Sequence, residues 1–365
     1  MAGIYVHIPF CTAKCAYCDF YSVPKLDTVE QVISAIGNEW QMRSAELNAK
    51  PRTLYIGGGT PSLLSAHQFA RLAELLPIDN LDEFTIEVNP DDVNAEKLSA
   101  WVAAGVNRVS MGVQSLDDRE LLEVGRRHNA AQAIEAYSAL RNAGIGNISL
   151  DLIYGLPGQS LQSWKYSVDK MIELRPNHIS AYLLSVEPGT RLYARSLVGK
   201  FVEADEALVA QMYQYLCLAT RQAGYEHYEI SNFALPSYRA VHNSSYWAFE
   251  PYVGLGPAAH SFGADGVRRI NPSNISKYLA DIDGRGVAYI VEEESDTDRI
   301  NDQIMVALRT SEGLNLDDLD AATAETVIKS VRHVPATHIE RVGSRLRIPE
   351  EYFLVSDAII RELLV

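Results

Sequence analysis

Three of the four cysteines, Cys11, Cys15 and Cys18, fall within eight residues of the run Ile4-Tyr-Val-His-Ile-Pro-Phe-Cys-Thr-Ala-Lys-Cys-Ala-Tyr-Cys-Asp-Phe20. They are spaced C-x3-C-x2-C on what reads as the loop leaving a first strand. Thiolates are soft ligands suited to zinc or to iron–sulfur clusters. Three from one loop can hold a four-iron cluster and leave one iron without a protein ligand, free to take a small molecule. Two plainer readings compete. A zinc site could recruit His7 as fourth ligand, but His7 lies inside an apolar strand and no second ligand pair follows. Scattered structural thiols would rarely crowd into one loop. A disulfide framework does not suit four cysteines in 365 residues.

Further polar residues stand at the ends of apolar runs. Gly57-Gly-Gly-Thr-Pro-Ser62 lets backbone N–H groups approach a ligand closely, although it also reads as a tight strand-to-helix turn with Thr60 or Ser62 as the cap. Glu87 and Asp151 sit in Phe84-Thr-Ile-Glu-Val88 and Ile148-Ser-Leu-Asp-Leu152, where an inward carboxylate needs a partner. That partner is a ligand's hydroxyls or cation, or an arginine such as Arg108 or Arg126. Gln114 ends Ser110-Met-Gly-Val-Gln114, and Arg126 offers a fork for a carboxylate. His242-Asn-Ser-Ser-Tyr-Trp247 sets a histidine beside two aromatics in an irregular stretch. It reads as a site for a flat ligand whose metal an imidazole would coordinate, or as a packed loop histidine. His260, after a Gly-x-Gly turn, is weak evidence alone, and Cys217 reads as a small buried hydrophobe.

Strands and helices alternate over the first 185 residues. Strands are expected at Gly3–His7, Thr53–Ile56, Phe84–Val88, Arg108–Val113, Ile148–Ile153 and His178–Leu184. Helices are expected at Thr28–Asn48, Ala66–Leu76, Ala95–Ala103, Ala130–Arg141 and Leu161–Leu174. Six such repeats imply a parallel sheet. The polar residues all follow or close strands, and a barrel gathers strand ends on one rim where a flat sheet would splay them. The expected class is therefore α/β, an open six-stranded partial (β/α)6 barrel over residues 1–190. A mixed α+β extension carrying the His242 segment follows at 191–299. It holds a helix near Ala204–Ala223, a strand at Gly224–Ile230 and an irregular tract to about Gly266. Residues 300–365 form a small helical or winged-helix-like domain ending in a helix at Ser356–Leu364.

The 32 basic and 47 acidic residues give a net charge of −15, which argues against a nucleic-acid partner and against the DNA-reading use of a winged helix. The N-terminal residues enter a strand without a signal-peptide pattern, and no apolar run approaches the roughly 20 residues that span a bilayer. With clustered free thiols, these features lead to an expectation of a reducing, cytoplasmic location.

Taken together, the cysteine loop, the Gly-Gly-Gly-Thr-Pro turn, Ser-Met-Gly-Val-Gln and Asp151-Leu-Ile-Tyr-Gly-Leu-Pro157 resemble radical S-adenosylmethionine (SAM) proteins of the oxygen-independent coproporphyrinogen III oxidase family. The resemblance implies a [4Fe-4S] cluster on Cys11, Cys15 and Cys18. It implies SAM contacts at Tyr5, Tyr17, Gly58, Gly59, Thr60, Glu87, Gln114, Arg126 and Asp151, with Ser185 and His260 at less clearly matching positions. Two departures set the chain apart from the oxidases. Phe20 stands where they carry a further cysteine, and the chain starts four residues before Tyr5, without their N-terminal extension. Both features, and the intact His-Asn-x-x-Tyr-Trp motif, resemble the haem chaperones among their close relatives. That branch implies haem bound through His242 and passed to acceptor proteins, an electron donor for the cluster and a cluster-dependent dimer; the lack of a bilayer-spanning run leaves a peripheral membrane contact open. Whether SAM is cleaved stays open. The alternative is the oxidase activity itself, decarboxylation of coproporphyrinogen III propionates.

Overall fold

A computed structural model describes residues 2–365, the side chain of Arg285 excepted. Six alternating stretches form β1 (Gly3–Ile8), β2 (Thr53–Gly58), β3 (Glu83–Val88), β4 (Arg108–Gln114), β5 (Asn147–Tyr154) and β6 (His178–Leu183). They pair in parallel and in chain order. The connections hold α1 (Val29–Arg43), α2 (Ala66–Glu74), α3 (Ala95–Ala103), α4 (Asp118–Glu123), α5 (Ala130–Asn142) and α6 (Leu161–Leu174). Side chains at alternate positions share a face. One face carries Ile4, Val6, Leu54, Ile86, Met111 and Leu150, buried in one cluster with Phe69, Trp101 and Trp164 of the helices. The other carries Tyr5, Tyr55, Glu87, Ser110, Asp151 and Ser180. Parallel sheets covered on both faces by helices read as unbroken apolar runs. The strict alternation here means that the second face encloses a polar interior instead.

Both edges of this sheet are extended. Beyond β6, after α7 (Arg191–Leu197) and α8 (Glu206–Gln222), the hairpin β7 (Glu226–Glu229) and β8 (Asn232–Ala234) adds antiparallel strands. The expected irregular tract is ordered. It forms α9 (Val241–Trp247), then β9 (Tyr252–Leu255), which pairs in parallel with β1. β10 (His260–Phe262) and β11 (Arg268–Ile270) follow. α10 (Ile275–Arg285) then packs on α1, and β12 (Ile290–Val291) completes the twelve strands. Glycines at positions 254 and 256 disguise β9 as a turn, and pairing with the open edge of β1 overrides that weak propensity.

The last segment contains α11 (Asp296–Ala307), β13 (Leu314–Asn315), α12 (Ala321–Ser330), the hairpin β14 (Glu340–Val342) and β15 (Arg345–Arg347), and α13 (Ser356–Arg361). A three-stranded sheet with helices before and after it has a winged-helix-like layout. Its Ile304, Leu308, Leu346 and Phe353 belong to the same apolar cluster as the barrel's outer layer. No helix among the described residues is long and apolar enough to cross a membrane.

Candidate functional site

The C-terminal ends of β1–β6 surround a cavity of about 510 Å³. Cys11, Cys15, Tyr17 and Cys18 reach its wall from the loop after β1. Gly58, Gly59 and Thr60 reach it from the turn after β2, Glu87 and Gln114 from the ends of β3 and β4, and Arg126 from beyond α4. Asp151 comes from β5 and Ser185 from beyond β6. Tyr5, His242 and His260 are not part of that wall.

Backbone contacts on both sides hold the cysteine loop. Cys11 N–H donates to Val23 O at 3.1 Å, Ala16 N–H to Val124 O at 2.9 Å, and Leu192 N–H to Ala16 O at 2.8 Å. Arg127 Nη1 donates to Thr12 Oγ1 at 2.7 Å, and Arg191 donates to the Lys14 carbonyl. Burial pushes the Cys18 thiol up to about 11, and Cys15 and Cys11 add to the rise. The Arg126 guanidinium lies 3.5 Å from Cys15 Sγ and donates to Asn89 Oδ1 at 2.8 Å and Gly112 O at 2.6 Å. Its buried Nε finds no partner among the described residues.

Among the described residues no three His, Cys, Asp or Glu side chains gather around a point as a single-ion site requires. A four-iron cluster takes each thiolate on a different iron, whereas zinc gathers its ligands on one ion. The zinc reading also loses its fourth ligand. His7 Nε2 donates to Tyr21 O at 2.9 Å, and its Nδ1 accepts from Tyr5 O–H at 3.1 Å.

Facing the thiols, the glycine turn lies hard against β1. Gly58 has φ +112°, and a Cβ there would sit 2.8 Å from the His7 ring. A Cβ on Gly59 would sit 2.6 Å from Phe10 O. Gly58 N–H and Tyr55 O–H donate to the two oxygens of Glu87 at 3.1 and 2.9 Å. Burial nonetheless pushes that carboxyl up to about 7, the two hydrogen bonds opposing it. Asp151 accepts from Ser110 Oγ at 3.0 Å and Ser149 Oγ at 3.1 Å, and burial raises it as well. Gln114, with φ +68°, stands at a register shift in β4; a non-glycine residue there carries strain of the kind concentrated at functional sites. Ser185 donates to Glu187 at the rim.

His242 lies behind this wall. It is fully buried and its ring stacks on Tyr55 at 5.3 Å. Nδ1 meets Thr53 Oγ1 at 2.8 Å and Nε2 meets Tyr246 O–H at 2.7 Å. The N–H groups of Val241 and His242 cap onto the Glu83 carboxylate at 2.7 and 3.1 Å. Burial holds the imidazole down at about 3, so it is neutral. Both nitrogens of the imidazole expected to ligate haem iron are thus engaged within the protein, and Asn243 is the motif residue that reaches the wall. Tyr55, Ser110, Ser180 and Tyr182 complete the wall without having been foreseen. Each sits two positions from another inner-face residue, so strand alternation was the available signal. Five carboxylates (Asp19, Glu87, Asp91, Asp151 and Glu187) and two guanidinium groups (Arg126 and Arg127) face this space.

Three thiols opposite a glycine turn at the strand ends of a six-repeat partial barrel define a radical SAM protein. Residues 5–171 match the Radical SAM superfamily, and membership implies a [4Fe-4S] cluster and SAM. The fold aligns over 100% of this chain and 90% of the other with coproporphyrinogen III oxidase (HemN) from Escherichia coli, at a TM-score of 0.85 and 22% identity. Heme chaperone HemW of Lactococcus lactis is 37% identical over 87% of this chain and 83% of its own length. Heme chaperone HemW of Mycobacterium tuberculosis is 32% identical over 99% and 94%. The chain belongs to the HemW family.

Proposed function

We propose that this protein is a cytoplasmic haem chaperone, binding haem and passing it to acceptor proteins. Cys11, Cys15 and Cys18 hold the [4Fe-4S] cluster, and SAM occupies the cavity beside it. When bound, the cluster supplies an iron that the protein leaves open to SAM. Glu87 and Asp151, fixed by Tyr55, Gly58, Ser110 and Ser149, accept hydrogen bonds from cationic and hydroxyl groups. Arg126 and Gln114 present donors to a carboxylate, and Gly58, Gly59 and Thr60 bring backbone close to the ligand. Tyr17 and Ser185 bound it at either side. Haem ligation by His242 requires its ring to leave Thr53, Tyr246 and the Tyr55 stack.

One observation supports the chaperone over the oxidase: an exposed Phe20 lines the cavity wall at the position where the oxidases that the chain resembles carry a further cysteine. Incubation of the cluster-loaded protein with coproporphyrinogen III, SAM and reductant tests the choice. No protoporphyrinogen IX, together with transfer of bound haem to an apo-acceptor, is the expected result. Sustained porphyrinogen turnover would overturn it.

A further inference from the structure

Asp151 ends a line of hydrogen bonds that begins outside the six repeats. Beyond α9 a second cavity, of about 520 Å³, has Tyr228, Arg239 and Glu312 in its wall. Arg239 lies 5.2 Å from the Tyr228 ring centre and is held by Glu226 and Glu312. The Tyr228 ring is buried beneath it, and its hydroxyl turns the other way, into the barrel. Tyr228 Oη accepts from the N–H of Ala240, the residue that opens α9, at 3.3 Å, and meets His178 Nε2 at 2.8 Å. On the far side of the imidazole, Nδ1 meets Ser149 Oγ at 2.8 Å, and Ser149 Oγ lies 3.1 Å from Asp151 Oδ1.

Counting donors gives this line one direction. His178 is fully buried, and burial holds it well below the usual imidazole range, so the ring is neutral with one N–H and one lone pair. Ala240 N–H already donates to the phenol oxygen, and the phenol hydrogen has no acceptor among the described residues except His178 Nε2. The lone pair is therefore on Nε2 and the proton on Nδ1. Nδ1–H donates to Ser149 Oγ, which leaves the serine hydrogen for another acceptor. Ser180 Oγ lies 3.2 Å away and can donate as well as accept, whereas an ionised Asp151 can only accept. In the opposite tautomer Ser149 would turn its hydrogen to His178, and Asp151 would lose this donor.

We infer that His178 is a positioning residue for Asp151: its tautomer, fixed by Tyr228, turns the Ser149 hydroxyl onto the carboxyl group and keeps that group aimed as an acceptor for SAM. This rests on the SAM reading of the cavity given above. Ser149 and Ser110 then orient the acceptor before the ligand arrives, so less freedom is lost on binding. Tyr228 belongs to the β7–β8 hairpin and Ala240 to the start of α9. The extension thus helps to set a residue of the barrel mouth.

The test is a calorimetric titration of SAM into the full-length, cluster-loaded protein, kept oxidised so that SAM stays intact. Wild type, Asp151→Asn, Ser149→Ala, His178→Asn and His178→Gln are compared. An asparagine amide can stand where Nδ1 stands and donate to Ser149, whereas a glutamine amide reaches toward Tyr228 and leaves Ser149 without that donor. Asp151→Asn is expected to weaken SAM about tenfold or more. Ser149→Ala and His178→Gln should each weaken it about fivefold, and the two together no more than either alone. His178→Asn should stay within about twofold of wild type, with iron and sulfide content unchanged throughout. Equal losses in His178→Asn and His178→Gln would assign the histidine to the fold alone and overturn the inference. Should the histidine variants misfold, the smaller change Ser149→Ala decides, and wild-type affinity there overturns it. Wild-type affinity in Asp151→Asn overturns instead the SAM reading of that residue.

Discussion

Inside the barrel mouth, five carboxylates face two guanidinium groups, while beyond α9 two charges of each sign stand among three aromatic rings. Volume does not separate these spaces, at about 510 and 520 Å³. Charge and surface chemistry do. The first gathers buried carboxyl groups and Arg126 around the three thiols, whereas in the second Arg239 pairs with Glu312 within the same wall.

The sharpest way to break the comparison is to remove the sulfur chemistry. Cys15→Ser should abolish cluster assembly, read as loss of bound iron, sulfide and visible absorbance. Next comes Glu87→Gln, which removes a carboxyl group that accepts two hydrogen bonds. SAM affinity of the reconstituted protein should fall about 10- to 100-fold, the worth of a charge-assisted hydrogen bond, with haemin binding unaltered. Equal losses for SAM and haemin would show that Glu87 serves both ligands.

The buried groups on either side of Tyr55 should also answer pH with opposite sign. Burial raises Glu87 from 4.5 to about 7, so the native state holds its proton more tightly than the unfolded chain does. That contribution is full below about 4.5 and is lost as pH rises through about 7. His242 falls from 6.5 to about 3, so its contribution is full above about 6.5 and is lost as pH falls through about 3. Each slope is at most about 1.4 kcal/mol per pH unit. Urea midpoints of the cluster-free protein should show Glu87→Gln flattening the decline between pH 4.5 and 7, and His242→Gln flattening the acid-side loss. The smallest effect belongs to Tyr246→Phe. It deletes the hydroxyl beside His242 Nε2 and should cost about 1 kcal/mol of stability without changing cluster content.

What could be read in advance followed local rules. The inner-face residues repeat every second position and end on turn-forming glycines, so the six strands and most of the rim were legible. α9 and β9–β12 were not. A helix of seven residues and strands of two to four carry little periodicity, and pairing with β1 decides their structure. The placement of His242 was equally hidden, because Thr53 and Tyr55 come from nearly 190 positions away and nothing near the motif announces them.

Continuity of the apolar cluster from barrel strands to Phe353 has a thermodynamic consequence. Tyr213 O–H also bonds to Glu350 O at 3.1 Å across that junction, so residues 300–365 have no separate interior to melt independently. Heating the cluster-free chain should give one calorimetric peak whose measured and van't Hoff enthalpies agree. Brief protease treatment should leave either the intact chain or small peptides, with no durable barrel-sized fragment.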